Sequence, residues 1–230
     1  MLSKPDHDRI HAAIAEAEQR TSGEIFCVVA RESGHYREVV FAWAAAVALL
    51  APPLSLVLGL KPSFFMAAML TVLENGWIVA HVGGLNAEVA AALVGYAAVQ
   101  AALFVIVLAA ASLAPVRRLL TPGSLKRAQV HARAMDQFAH RLHATRAATG
   151  VLIFASLAER RVEIVADEAI HAKVAAGTWD RAVRAALGSI GAGEAATGLI
   201  AAIGICGEAL AEHCPSDGAH DAAIDDVAEI

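Results

Sequence analysis

The stretch VVFAWAAAVALLAPPLSLVLGL, residues 39–60, carries no charged side chain, and neither does VAAALVGYAAVQAALFVIVLAAASLAPV, residues 89–116. An uncharged apolar run of about 20 residues is long enough to cross the hydrocarbon core of a bilayer as a helix. Working outward from these two runs, strand-like segments lie on both sides: 24–31 before them, 151–157 and 161–166 after them. One sheet can contain all three only if both flanks of the insertion lie on the same side of the membrane. The expected fold class is therefore α/β: a mixed sheet flanked by helices, interrupted by an inserted transmembrane helical hairpin. Residues 1–38 and 117–215 would form one discontinuous domain and 39–116 the hairpin, with spans at about 39–60 and 89–116. Pro52-Pro53 is expected to kink the first span without abolishing it, since neighbouring groups satisfy the freed carbonyls.

Composition agrees. The 230 residues are 57% hydrophobic and 18% charged, and the mean hydropathy of +0.55 is high for a soluble protein. Removing 39–116 leaves about 150 residues, the size of one ordinary domain. A net charge of −5 offers nothing to a nucleic-acid backbone, so no nucleic-acid partner is expected. Cys27, Cys206 and Cys214 show no metal or redox spacing and read as reduced thiols of a cytoplasmic compartment. Asp6, Asp8, Glu16 and Glu18 precede the first apolar run, which is not the pattern of a signal peptide.

Flanking charge sets the orientation. Arg31 and Arg37 precede the first span; Arg117, Arg118, Lys126, Arg127 and Arg133 follow the second; the loop between carries Lys61, Glu74 and Glu88. Positive residues accumulate on the cytoplasmic side. The expectation is a multi-pass protein of a bacterial-type inner membrane with its globular domain in the cytoplasm. Residues 62–84 are apolar but hold Glu74 and Asn75, and a central Glu costs about 2.5 kcal/mol or more in a bilayer. They read as an interfacial or re-entrant segment. Residues 216–230 are acidic, poor in apolar anchors and read as a frayed tail.

In the flanks, Ser3-Lys-Pro-Asp6 has the form of a capped helix start, followed by Ile10, Ala13, Ile14 and Ala17 at helical spacing. Residues 25–30 and 151–156 are apolar on both faces, as central strands covered on both sides are. Between them a helix with the stripe Val130, Ala134, Phe138 and Leu142 forms the crossover of a parallel pair. Ala158-Glu-Arg160 reads as the turn of an antiparallel hairpin. Three helices follow, the last with Leu199, Ile203, Cys206 and Leu210 on one stripe.

The words Ile14-Ala-Glu-Ala-Glu-Gln-Arg-Thr-Ser-Gly-Glu-Ile25, Thr149-Gly-Val-Leu-Ile-Phe-Ala-Ser-Leu-Ala-Glu-Arg160 and Val162-Glu-Ile-Val-Ala-Asp-Glu-Ala-Ile170, in this order, resemble the TPM domain family. The Trp179 and 198–203 segments resemble its closing helices. The likeness runs to bacterial members with an internal membrane hairpin. It implies a TPM-like mixed sheet flanked by helices, and brings with it the phosphatase activity and divalent-cation binding reported within that family. Asp167-Glu168 stands where many members have Gly-rich residues, and no aspartate-rich loop follows the first strand.

The residues themselves offer few candidates for chemistry. Cys27 sits in a buried strand and reads as core. His7 and His11, and His140 and His143, have the three- or four-residue spacing of helical zinc ligands, without a completing Cys or carboxylate; His131 lies on the same helix as the second pair. The Arg- and His-rich face of that helix reads as a solvated face, with anionic lipid headgroups as the alternative it suits. Asp167, Glu168, Glu159 and Glu163 form the densest acidic group, and such oxygens suit a hard cation; the family resemblance implies calcium. The leading reading is an ordinary helix start capped by Asp167; if a divalent ion binds, Asp167 and Glu168 are its first expected ligands. The expected role is an accessory module that binds a partner membrane protein, a lipid or a cation at the bilayer. The alternative is a weak metal-assisted acid phosphatase.

Overall fold

A computed structural model describes residues 2–34, 36–58, 87–142, 149–216 and 227–230. The interfacial segment expected at 62–84 and His143 lie outside them. The chain divides into two compact units, Met1–His35 with Gly123–Ile230, and Tyr36–Pro122.

The first unit is a mixed α/β layer structure. Helix α1 spans Lys4–Glu18. Its capping box is formed as expected: Asp6 N–H donates to Ser3 Oγ at 3.3 Å, and Ser3 N–H to Asp6 Oδ2 at 3.3 Å. Strands β1 (Glu24–Ala30) and β2 (Gly150–Ser156) pair in parallel along their full length, Glu24 opposite Gly150 and Ala30 opposite Ser156. Strand β3 (Arg161–Ala166) returns antiparallel to β2. The helices of this unit are α5 (Gly123–Leu142), α6 (Glu168–His171), α7 (Thr178–Gly191) and α8 (Ala195–His213). A last strand, β4 (Val227–Glu229), lies parallel to β1, so the sheet order is β3-β2-β1-β4.

Alternation along the two central strands builds two cores. Ile25, Cys27, Val29, Val151, Ile153 and Ala155 face the layer of α1, α7 and α8, while Phe26, Val28, Leu152 and Phe154 pack on Val130, Ala134 and Phe138 of α5. Every residue of β2 is buried, which is why its sequence shows no polar face. Glycine allows α8 to approach its neighbours closely. A Cβ on Gly198 would lie 2.4 Å from the Ala186 carbonyl oxygen, and one on Gly207 would lie 2.7 Å from Ala17 Cβ.

Two expectations change. The acidic end is not frayed throughout. Val227 is buried in the core, Ile230 N–H donates to the Val29 carbonyl at 3.0 Å, and Arg31 N–H donates to the Ile230 carbonyl at 3.0 Å. Three residues suffice because β1 supplies an edge with free backbone groups. The amide of Ile25, farther along that edge, donates to Glu18 Oε1 at 2.9 Å instead, and this buried carboxylate closes the end of the edge that β4 leaves open. The domain boundaries also move inward, from 38 and 117 to 35 and 123. Apolarity alone placed them, but the helices of the insert continue through their charged ends.

The second unit contains α2 (Arg37–Val57), α3 (Ala87–Ser112) and α4 (Ala114–Leu120). Helix α2 runs through Pro52-Pro53. Helix α3 stops short of the expected 116 because Pro115 cannot donate to the Ala111 carbonyl and its ring crowds it. Helices α2 and α3 pack as an antiparallel pair: Phe41, early in α2, meets Phe104, late in α3, with ring centroids 6.5 Å apart. Trp43 Nε1–H donates to the Leu120 carbonyl at 3.3 Å. Small residues, Ala44 and Ala111, are buried in this unit.

Candidate functional site

Ligands of open parallel sheets bind outside the carboxyl ends of the strands. Here that edge is formed by Ala30, Ser156 and Glu229, with the β2–β3 turn beside it. Glu159 of this turn organises it. Its Oε2 accepts the Ser33 amide at 3.2 Å and also accepts from the Ser156 hydroxyl. Ser156 and Ser33 are both buried, and Ser33 Oγ has no partner among the described residues. Two residues after Glu159, Arg161 donates through Nη2 to the carbonyl of Gly123 at 3.4 Å. Ser33 is near the end of the first segment of this unit and Gly123 is the start of its second. The β2–β3 turn and the first residue of β3 therefore hold this unit's chain on both sides of the insertion point.

A cavity of about 690 Å³ opens at the same edge. Its walls come from the start of α1, the β2–β3 turn and the α7–α8 loop. Arg9 lines it, paired with Asp6 Oδ1 at 3.3 Å. Hydrogen bonding to Ser3, before any other cause, holds the Asp6 carboxyl below its ordinary value. Arg160, in the left-handed region at φ 50°, and Glu194 also line it, and neither side chain has a partner among the described residues.

The acids singled out from sequence do not converge. Asp167 lies at the opposite edge of the sheet, where its amide donates to the Gly150 carbonyl at 3.1 Å. It occupies the N-cap position of α6 but makes no side-chain cap bond, and its buried Oδ2 has no partner among the described residues. Glu168 is exposed. Glu163 meets His131 Nδ1 at 2.9 Å on the α5 side of the sheet. Among the described residues no three His, Cys, Asp or Glu side chains gather as a metal-holding group. The His7 and His11 rings meet at a tilt of 42°, with centroids 5.4 Å apart, and His140 Nε2 lies 3.6 Å from Asp136 Oδ1. Cys27 is completely buried, and burial pushes its thiol from 9.0 up to about 12, as it does for Cys206. Neither thiol is a nucleophile near neutral pH.

Sequence reasoning passed over Arg9, Arg160 and Glu194, which are separated by up to 185 positions. The one local signal was the charge-dense turn Ala158-Glu-Arg160 between two apolar strands.

No family model matches the chain, and no curated protein does. Among solved structures it is similar to the NMR structure of the BA42 protein from the psychrophilic bacterium Bizionia argentinensis. The TM-score is 0.53 at 17% identity, over 100% of this chain and 96% of that one. At that identity the likeness speaks for the fold alone.

Proposed function

We propose that this chain is an integral membrane protein of the TPM-domain type. Its α/β domain is held at the cytoplasmic face of a bacterial-type inner membrane by an inserted helical hairpin, and it acts there as an accessory binding module. The observation that carries the reading is the shared corner: Glu159 binds Ser33 and Arg161 binds Gly123, so the insert leaves and re-enters the domain beside one turn. A hairpin that crosses and returns requires that arrangement, and a single crossing would oppose it. The surface of the insert adds support. Leu50, Ile106 and Leu119 are 64%, 62% and 84% exposed within their unit, which suits helices solvated by lipid. Helices of 21 and 26 residues reach about 30 and 40 Å, enough for the hydrocarbon core. Lys126, Arg127 and Arg133 of α5 supply the cationic character that anionic headgroups attract.

The test is topological. Reporter fusions after Arg37 and after Arg127 are expected to give cytoplasmic signals, and one near Asn86 the opposite signal. Fusions after Arg37 and Arg127 that report opposite sides would defeat the reading.

A second reading, a weak metal-assisted acid phosphatase, is favoured by one observation, the unpartnered Oδ2 of Asp167. It puts a divalent cation, calcium or magnesium, on Asp167 and Glu168. Titration calorimetry with either ion, beside a phosphatase assay of the Asp167→Asn/Glu168→Gln double variant, decides it. Turnover abolished by that variant would promote the enzyme over the binding module.

A further inference from the structure

The cavity at the carboxyl edge carries one unpaired charge of each sign. Arg160 of the β2–β3 turn and Glu194 of the α7–α8 loop line it, both exposed to solvent, and neither has a hydrogen-bond or ionic partner among the described residues. The remaining charges of the wall, Arg9 and Asp6, neutralise each other at 3.3 Å. Leu2, Leu157 and Ile190 make the rest of the lining partly apolar. Two opposite charges left unpaired in one cavity, instead of bound to each other, are complementary to a ligand that itself bears both signs. A guanidinium matches the planar fork of a phosphoester or other oxyanion. A carboxylate matches an ammonium. A volume of about 690 Å³ lies in the range of small-ligand pockets.

We propose that this cavity binds a small zwitterion of the ammonium–phosphoester class, with the phosphoester at Arg160 and the ammonium at Glu194. The choice of phosphoester over other anions rests on the membrane reading above, since that group and an amine occur together in bilayer headgroups. The same chemistry also exists free in solution as phosphoethanolamine, and the two sources separate experimentally.

The experiment uses the full chain in maltoside micelles, which contain no phosphate, with O-phosphoethanolamine as the calorimetric probe. Saturable binding is expected, with inorganic phosphate and ethanolamine each binding at least about tenfold more weakly because each leaves one charge unmatched. Arg160→Asn removes the guanidinium while keeping a residue that tolerates the left-handed backbone. Glu194→Gln removes the exposed carboxylate. Each is expected to weaken phosphoethanolamine about tenfold at an unchanged thermal midpoint, with Glu194→Gln leaving inorganic phosphate unaffected. The chain is then placed in nanodiscs. Loss of the phosphoethanolamine heat in phosphatidylethanolamine discs, with the heat kept in phosphatidylglycerol discs, assigns the lipid headgroup as occupant. Heat kept in both assigns the soluble compound. No saturable binding in micelles, or both variants binding as the parent does, overturns the proposal. A chain that binds phosphoethanolamine but does not enter nanodiscs leaves the cavity assignment standing and removes the membrane reading.

Discussion

Helix α8 and the pair α2 and α3 are alike in sequence and opposite in setting. All three are long and apolar enough to cross a membrane. Yet half of the apolar window of α8 is buried inside its own unit, against 28% for α2 and 11% for α3. Leu199, Ile203, Cys206 and Leu210 of α8 are fully enclosed by the sheet, α1 and α7. Among the described side chains of α2 and α3, Leu49, Leu50, Leu54, Val105 and Ile106 are exposed. Length and hydropathy therefore measure how much a helix gains by leaving water. They do not say whether protein or lipid replaces the water. Here the distinction lies in the pattern. Gly198 and Gly207 cut notches that let α8 dock against backbone and side chains, and Glu208 and Glu212 keep part of its surface polar.

The largest expected break in this comparison is Ile203→Asp. An unpaired charge in that core costs about 3–5 kcal/mol, enough to unfold most domains of this size, and the loss of the cooperative melting transition would show it. The matching change in the insert, Ile106→Asp, touches an outward-facing side chain. It is expected to leave the melting of the α/β domain unchanged and, on the proposed membrane reading, to cost about 2.5–3.5 kcal/mol of membrane insertion, read as a shift of protein from the membrane fraction to aggregates. Equal damage to the domain by both substitutions would erase the distinction between the helices.

A smaller change sharpens it. Gly198→Ala forces a Cβ against the Ala186 carbonyl at 2.4 Å, so α7 and α8 must separate. The expected destabilisation is about 1–3 kcal/mol, measured by denaturant midpoint. The smallest effect concerns the thiols. Cys27 and Cys206 have folded values near 12 against an ordinary 9.0, with desolvation the first cause in both. A group raised in the folded state contributes stability that is complete below its unfolded value. Stability is therefore expected to hold up to about pH 9 and to fall as pH rises from there toward 12. At neutral pH a thiol reagent is expected to label Cys214, which is only half-buried, well before the other two. Fast labelling of Cys206 would mean that α8 is not enclosed.

Much of the sheet was legible before any tertiary information. Residues apolar on both faces at 25–30 and 151–156 can only be a central pair, and the intervening crossover makes that pair parallel. The short turn at 158–160 makes the next strand antiparallel. These are local patterns whose period reports burial directly. The two uncharged stretches at 39–60 and 89–116 were likewise readable as long apolar helices, because length and the absence of charge are properties of the chain itself.

What remained hidden depends on meetings between distant positions. Strand β4 is three residues long, too short for a periodicity to show, and it exists because β1 offers a free edge. Glu18 looks like one more surface acid of α1 until the Ile25 amide is found against it. Asp167 takes the N-cap position its sequence suggests, but the cap bond is missing and its Oδ2 is buried without a partner among the described residues. Arg9, Arg160 and Glu194 share a cavity only because a helix start, a turn and a loop meet at the same edge of the sheet. Sequence by itself determined where apolar surface must leave water and with what period, since that depends on each segment's own side chains. Tertiary structure alone decided which surfaces cover one another and which charges are left without partners, since those depend on the distances between segments that the fold brings together.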